Sequence, residues 1–347
     1  MKNWLHNDQL LNNLDQCGLL CKESVIKGDL QIIDYTSRNK NFLILQKESL
    51  FVKIGIDEER VQSLDIETAV YRLGKENKEL ADLVPKLKYA DSGVLITEAV
   101  EDSNLLDDVL NNSKEFQIKK IGLKLGRGLS TTSQLPCFID SEINSYGIPW
   151  AFMLSTPPKE VYLGLSAAGL EIIQIIQKDE VYIHELQKLQ QSWNNDNFIH
   201  NDIKSTNILI TEKDKPSIKL IDWEICGRGD SHWDLGNVWT SVLHAWLSSI
   251  ENPSSPSQSR IQLSDLFEFN QGVLTGYQTS HSQRGLTFSL LKSIQYSGVS
   301  LLKTVIEIVE SQNKIGKIHI LYIQLSDFLI KNPLQASVQL LGLHENK

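Results

Sequence analysis

HNDIKSTNILI at residues 200–210, followed by SIKLIDWE at residues 217–224, is the pair of segments whose reading decides the fold of this chain. Ile208–Ile210 and Ile218–Ile221 are β-prone runs joined by the polar stretch TEKDKPS, so they are expected to pair as an antiparallel hairpin. The open ends of that hairpin carry Asn207 and Asp222, an amide oxygen and a carboxylate that would converge on one point. Hard oxygen ligands suit magnesium, which keeps several waters and usually bridges a carboxylate to nucleotide phosphates. Asp202, five positions before Asn207, is then a second carboxylate beside the metal, placed to accept the proton of an incoming hydroxyl. A lone Asp or Asn in a turn usually caps backbone. Three such residues at this spacing, bounded by two apolar strands, point instead to chemistry.

Upstream, residues 29–54 alternate as strands should: LQIIDY, the turn TSRNKN, FLIL, the turn QKES, and LFVKI. A helix is expected over residues 57–80, with Val61, Leu64, Val70 and Leu73 on one stripe. Glu67 falls inside that stripe, and a buried carboxylate is costly unless paired. Lys53, on the third strand, is its natural partner. Strand-like KLKYAD and GVLITEAV complete a small β-rich region, after which the patterns become helical.

The order HxDxxxxN, strand pair, Asp, preceded by a strand lysine and a helix glutamate, resembles the protein-kinase superfamily. The resemblance is closer to the aminoglycoside phosphotransferase and choline kinase group, because IDWE replaces a DFG-type motif, WDLG follows at residues 233–236, and no APE segment is visible. It implies an α+β, two-lobed protein-kinase-like fold: a small β-rich N-lobe with one helix at residues 1–102, and a large, mainly helical C-lobe at residues 103–347. It further implies an ATP-dependent phosphotransferase with magnesium. Asp202 and Lys204 would be catalytic, Asn207 and Asp222 metal-binding. Lys53, paired with Glu67, would orient the phosphates, and backbone near Glu98, Ala99 and Val100 would meet the adenine edge. His200 would be a structural prop and Asp234 a brace for the loop.

The acceptor stays open at this level. Members of the group act on hydroxyl-bearing small molecules. The runs LSAAGLEIIQIIQ at 165–177 and GDSHWDLGNVWTSVLHAWL at 229–247 look like the stand-alone kinase component of split, class V type lanthipeptide synthetases. That likeness implies Ser or Thr of a precursor peptide as acceptor and a separate lyase as partner. A catalytically inactive pseudokinase that binds nucleotide is the non-enzyme alternative.

The chain departs from the pattern at two places. Asn201 stands where HGD is usual, although Asn tolerates a left-handed backbone. The turn TSRNKN has no glycine, so Ser37, Arg38 or Lys40 is expected to compensate on the phosphate side. Gly122, Gly126 and Gly128 fall within a helical pattern, and close helix packing accounts for them better than a phosphate loop. Arg228, Gly229 and Asp230 are read as a turn.

With 347 residues and 41% hydrophobic content, the chain can bury two cores unaided. A net charge of −9 with dispersed lysines and arginines argues against nucleic acid as partner. Cys17, Cys21, Cys137 and Cys226 lack the spacing of a zinc site or disulfide framework. The opening residues lack a secretory core and no apolar run reaches membrane-spanning length, so a cytoplasmic protein without a membrane partner is expected.

Overall fold

A computed structural model of the chain describes residue 4 and residues 7–36, 39–135, 147–211, 215–283 and 288–343. Ser37, Arg38 and Cys137 lie outside the described residues. The chain forms two compact units: residues 1–103, 209–212 and 218–226 make the first, and 104–208, 213–217 and 227–347 the second.

In the first unit, β1 (Gln31–Asp34), β2 (Lys40–Leu45), β3 (Leu50–Ile54), β4 (Leu87–Asp91) and β5 (Val94–Glu98) form one sheet in the order β1-β2-β3-β5-β4. The expected meander is therefore present, and the register sorts its side chains. Phe42 opposes Val52, which opposes Ile96; Ile44 opposes Leu50. These residues share one face, where they pack with Trp4 and with Leu10 and Leu14 of α1 (Asn7–Gln16). A short α2 (Lys22–Lys27) follows before β1. By the alternation of a strand, the opposite face carries Asn41, Leu43, Phe51, Lys53, Leu95 and Thr97.

The helix expected over residues 57–80 is broken. α3 (Glu58–Glu76) starts at Asp57, whose side chain accepts the Arg60 N–H at 2.9 Å, and ends at Asn77. Asn77 leaves helical geometry at φ −115°, ψ 110°, and its side chain caps the short α4 (Lys78–Ala81) by accepting from Leu80 N–H at 3.0 Å. A residue that competes for backbone hydrogen bonds has ended one helix and begun the next. The same unit takes up β9 (Ser217–Leu220) beside β8 (Ile208–Thr211). Leu220 N–H donates to Leu83 O at 2.7 Å, and Lys219 Nζ reaches the carbonyls of Ala81 and Val84 at 3.1 and 2.9 Å. Those contacts fasten a late segment of chain to an early one.

The second unit begins within β6 (Ser103–Leu105) and is mainly helical: α5 (Leu106–Asn111), α6 (Ile118–Thr132), α7 (Lys159–Gly164), α8 (Ala167–Gln177) and α9 (Glu180–Gln191) precede the loop at 200–207. After it come α10 (Ser231–Ser248), α11 (Phe267–Gln283), α12 (Leu290–Gln312), α13 (Lys317–Lys331) and α14 (Pro333–Gln339). Trp233 and Trp239 of α10 are fully buried, whereas Trp246 is half-buried. The Arg228 segment differs from expectation. Gly227–Gly229 is a strand, β10, which pairs antiparallel with β7 (Asn197–Ile199). Gly229 fits there because a Cβ would lie 2.2 Å from the Ile199 side chain.

The glycines of α6 act through packing. A Cβ at Gly122 would lie 2.2 Å from Phe269 O, and one at Gly126 would lie 2.0 Å from Val273 O; Gly272 and Gly276 of α11 meet α6 backbone in the same way. Two helices whose backbones touch on both sides cannot admit a methyl group without separating. Gly126→Ala is therefore expected to lower the unfolding free energy by about 2 kcal/mol in urea titration, although alanine is the better helix former. Gly164→Ala, where a Cβ meets nothing within 4 Å, serves as the control. Equal stability of the two variants would remove the packing account.

Candidate active site

In the first unit, β3 delivers Lys53 to the face opposite the α1 core, and α3 delivers Glu67. Lys53 Nζ donates to Glu67 Oε1 at 3.0 Å and Oε2 at 2.9 Å. The same ammonium donates to Asp222 Oδ1. Glu67 is fully buried and Lys53 is 8% exposed. Burial alone would push the Lys53 ammonium down, but the Glu67 and Asp222 carboxylates outweigh it and hold it above its ordinary value. Burial pushes the Glu67 carboxyl up, and Lys53 opposes that push. Tyr71, one turn beyond Glu67 on α3, donates its hydroxyl to Glu67 Oε1 at 3.2 Å. Asp222 has φ 64°. A non-glycine residue held in the left-handed region carries strain, and such strain gathers where a side chain must be aimed.

Backbone near Glu98, Ala99 and Val100, where β5 ends, was expected to meet the adenine edge, and its hydrogen bonds narrow the donors. Glu98 N–H donates to Lys86 O and Ala99 N–H to Ser49 O, both at 2.9 Å. Glu98 Oε1 accepts from Lys86 N–H at 3.2 Å, so that side chain serves the sheet. Val100 O accepts from Ser103 Oγ at 2.8 Å. The Val100 N–H donates to no acceptor among the described residues.

In the second unit, β7 feeds the loop that begins at His200. His200 is fully buried and its Nδ1 accepts from Asp202 N–H at 3.3 Å, the propping part expected of it. Asn201 has φ 68°, the left-handed conformation expected if the loop is to survive without glycine. The Asp234 carboxylate accepts both neighbouring amides, from His200 N–H at 2.7 Å and Asn201 N–H at 3.0 Å. Asp202 Oδ2 accepts from Lys204 Nζ at 2.7 Å and from Asn207 Nδ2 at 3.0 Å. Asn207 Nδ2 also donates to Asp202 O at 2.9 Å, which orients the carboxamide so that its oxygen is the atom able to meet a cation. Ser205 Oγ ties the turn to Asp107 Oδ1 of α5 at 3.3 Å.

Burial raises Asp234 to about 7, against the pull of the His200 and Asn201 amides. Its folded value stands above its ordinary one, so its contribution to stability is full below about pH 4 and is lost as pH rises through about 7. The thermal-stability margin of the wild type over Asp234→Asn should accordingly be wider near about pH 5 than near about pH 8. A margin that widens with pH would reverse the assigned shift.

The predicted residues thus fall in two sets. Lys53, Glu67 and Asp222 are in contact in the first unit, together with the Glu98–Val100 segment; Asp202, Lys204 and Asn207 are in contact in the second. Three residues that the sequence did not single out belong beside the first set. Tyr71 reads there as one more apolar helix position. Asn41 lies directly opposite Lys53 across the β2–β3 pair, and Asn39 stands two positions before it. Among the described residues, the buried side-chain oxygens of both asparagines meet no hydrogen-bond donor. Asparagines within the glycine-free stretch TSRNKN were the available signal, but only the register shows which of them share the face of Lys53.

The donor set fits a magnesium ion. Among the described residues there is no group of three or more His, Cys, Asp or Glu side chains able to form an all-protein cage. The second unit offers the Asn207 oxygen and the first the Asp222 carboxylate, hard oxygen donors of the kind that magnesium takes.

Comparison with known proteins gives a family and a fold. The model of the phosphotransferase enzyme family matches residues 35–263, more than half of the chain. The streptomycin and ATP complex of APH(2")-IIa superposes with a TM-score of 0.54 at 13% identity, over 93% of this chain and 98% of that one. A Plasmodium vivax ethanolamine kinase gives a TM-score of 0.53 at 15% identity, over 95% and 87% of the two chains. A choline/ethanolamine kinase family protein from Mesorhizobium loti gives 0.51 at 13% identity, over 93% and 95%. At such identities the likeness is one of fold, the protein-kinase-like arrangement of a sheet-bearing N-terminal region and a helical C-terminal part. No curated protein matches the chain significantly. No helix among the described residues is long and apolar enough to cross a membrane.

Proposed function

We propose that this chain, which belongs to the phosphotransferase enzyme family, moves the γ-phosphate of ATP onto a hydroxyl group of a small molecule. The observation that carries this reading is the buried Lys53 ammonium, held by Glu67 and Asp222 on a sheet face that grades from apolar Leu43 and Phe51 to polar Asn41 and Lys53. An adenine suits the apolar part of that face and a triphosphate the polar part. Val100 N–H supplies the donor for the adenine edge. Lys53 orients the phosphates, and the Asn41 and Asn39 carboxamides take the place that backbone amides hold in a glycine-rich loop.

Asn207 and Asp222 would hold magnesium, which when bound neutralises charge on the phosphates. Asp202 accepts the proton of the acceptor hydroxyl. As that proton leaves, the hydroxyl oxygen bonds to the γ-phosphorus and the bond to the β,γ-bridging oxygen breaks, so ADP departs. Lys204, which contacts Asp202, neutralises charge on the phosphoryl group in transfer. Asp234 and His200 act on the loop rather than on substrate, through the hydrogen bonds each makes to its backbone.

A net charge of −9 favours a cationic acceptor, and amino alcohols and aminoglycosides are the first class to test because the fold relatives named above carry such substrates in their descriptions. Labelled ATP incubated with the full chain, magnesium and a panel of amine-bearing alcohols should give labelled product with at least one of them. Transfer confined to serine or threonine of a peptide would replace the small-molecule acceptor with the peptide one. Nucleotide binding without transfer to any acceptor would favour the pseudokinase.

A further inference from the structure

We propose that Tyr71 is a positioning residue for nucleotide binding: its hydroxyl fixes the Glu67 carboxylate, and through it the direction in which Lys53 presents its ammonium to ATP. The proposal rests on the phosphotransferase reading above. Glu67 is fully buried, and Lys53 supplies a donor to each of its oxygens, at 3.0 and 2.9 Å. Two donors from one flexible side chain leave the carboxylate able to swing with the lysine. The Tyr71 hydroxyl, at 3.2 Å from Oε1, comes from a rigid source on the same helix. One turn separates the two residues, the spacing at which helix side chains meet.

Packing alone does not explain a tyrosine here. Tyr71 is 3% exposed, on the face of α3 that also buries Leu64 and Val70. A phenylalanine would fill the same space without bringing a hydroxyl that must find a partner in the interior. The partner it finds is the helix carboxylate that, together with Asp222, holds Lys53. Burial, then the nearby Glu67 and Asp222 charges, keep the phenol protonated, so it remains a donor. Its action is on Glu67 and it does not touch substrate.

The test is a double-mutant cycle on the full chain, read by titration with MgATP and by thermal melting. Tyr71→Phe should weaken MgATP binding about tenfold, the worth of a hydrogen bond to a charged group, while the KM for the acceptor stays at the wild-type value. In a Lys53→Met background the same substitution should change MgATP affinity by less than about twofold, because nothing is left for it to position. A purely structural tyrosine would give the same factor in both backgrounds, and that result overturns the proposal. So does a Tyr71→Phe variant whose affinity equals that of the wild type. A wild type that binds no MgATP at the first titration overturns the phosphotransferase reading and this proposal together, whereas a binding wild type with an indifferent Tyr71→Phe overturns this proposal alone.

Discussion

Asp202→Asn should lower kcat by about a thousandfold, with MgATP affinity within about threefold of the wild type. The carboxamide is nearly isosteric and can still receive Lys204 and Asn207 on its oxygen, so the loop held by Asp234 keeps its shape. What disappears is a base. An amide does not take a proton at neutral pH, and the acceptor hydroxyl must then lose its proton to water. Steady-state kinetics with both substrates varied separates the outcomes: a fall confined to kcat matches a group that acts in the transition state, and turnover at the wild-type rate would remove Asp202 from the mechanism.

Lys53→Met is expected to be the most damaging substitution for the fold. It removes the ammonium from a fully buried carboxylate, and breaking a buried pair from one side costs about 3–5 kcal/mol. MgATP affinity should fall at least about tenfold as well, since a charge-assisted contact to phosphate is lost. The stability loss should depend on pH in a definite direction. Burial already raises Glu67, and without Lys53 it rises further, so the variant is least harmed at acid pH, where the carboxyl is neutral, and loses more as pH rises. Lys53→Met combined with Glu67→Met should regain much of the stability, because an apolar pair of similar volume can replace a buried ion pair. It should regain none of the nucleotide affinity. If the double variant bound MgATP as tightly as the wild type, Lys53 would have no part in the site.

Much of this was legible in the residues because chemistry restricts them so tightly. A carboxylate within an apolar helix stripe demands a cation, and Glu67 found Lys53 as expected. The polar triad at Asp202, Lys204 and Asn207 is local in sequence, and its members are in contact. Asn201 also took the left-handed turn that its side chain tolerates. The features that escaped notice depend on register or on partners distant in the chain. Asn41 is seen to share a sheet face with Lys53 only when β2 is known to set it there. Gly227–Gly229 looks like turn sequence and becomes a strand because β7 offers it an edge. The break at Asn77 lies within an otherwise continuous helical pattern, where capping by one side chain outweighs propensity. Tyr71 is hidden by its own type, since an aromatic residue at a buried helix position normally signals core.

The unit that carries Lys53 is assembled from pieces that leave the ribosome far apart. Its sheet is finished at Glu98, yet Leu220 hydrogen-bonds to Leu83, Lys219 secures the end of α4, and Asp222 reaches Lys53, all from a stretch that follows nine of the described α-helices. A nascent chain halted after residue 103 would therefore carry Lys53 and Glu67 with no Asp222 against them. Cutting the gene at that apparent boundary should yield a fragment that tends to misfold or recruit chaperones, whereas supplying residues 209–226 in the same polypeptide, through a designed linker, is the minimal way to express the unit by itself.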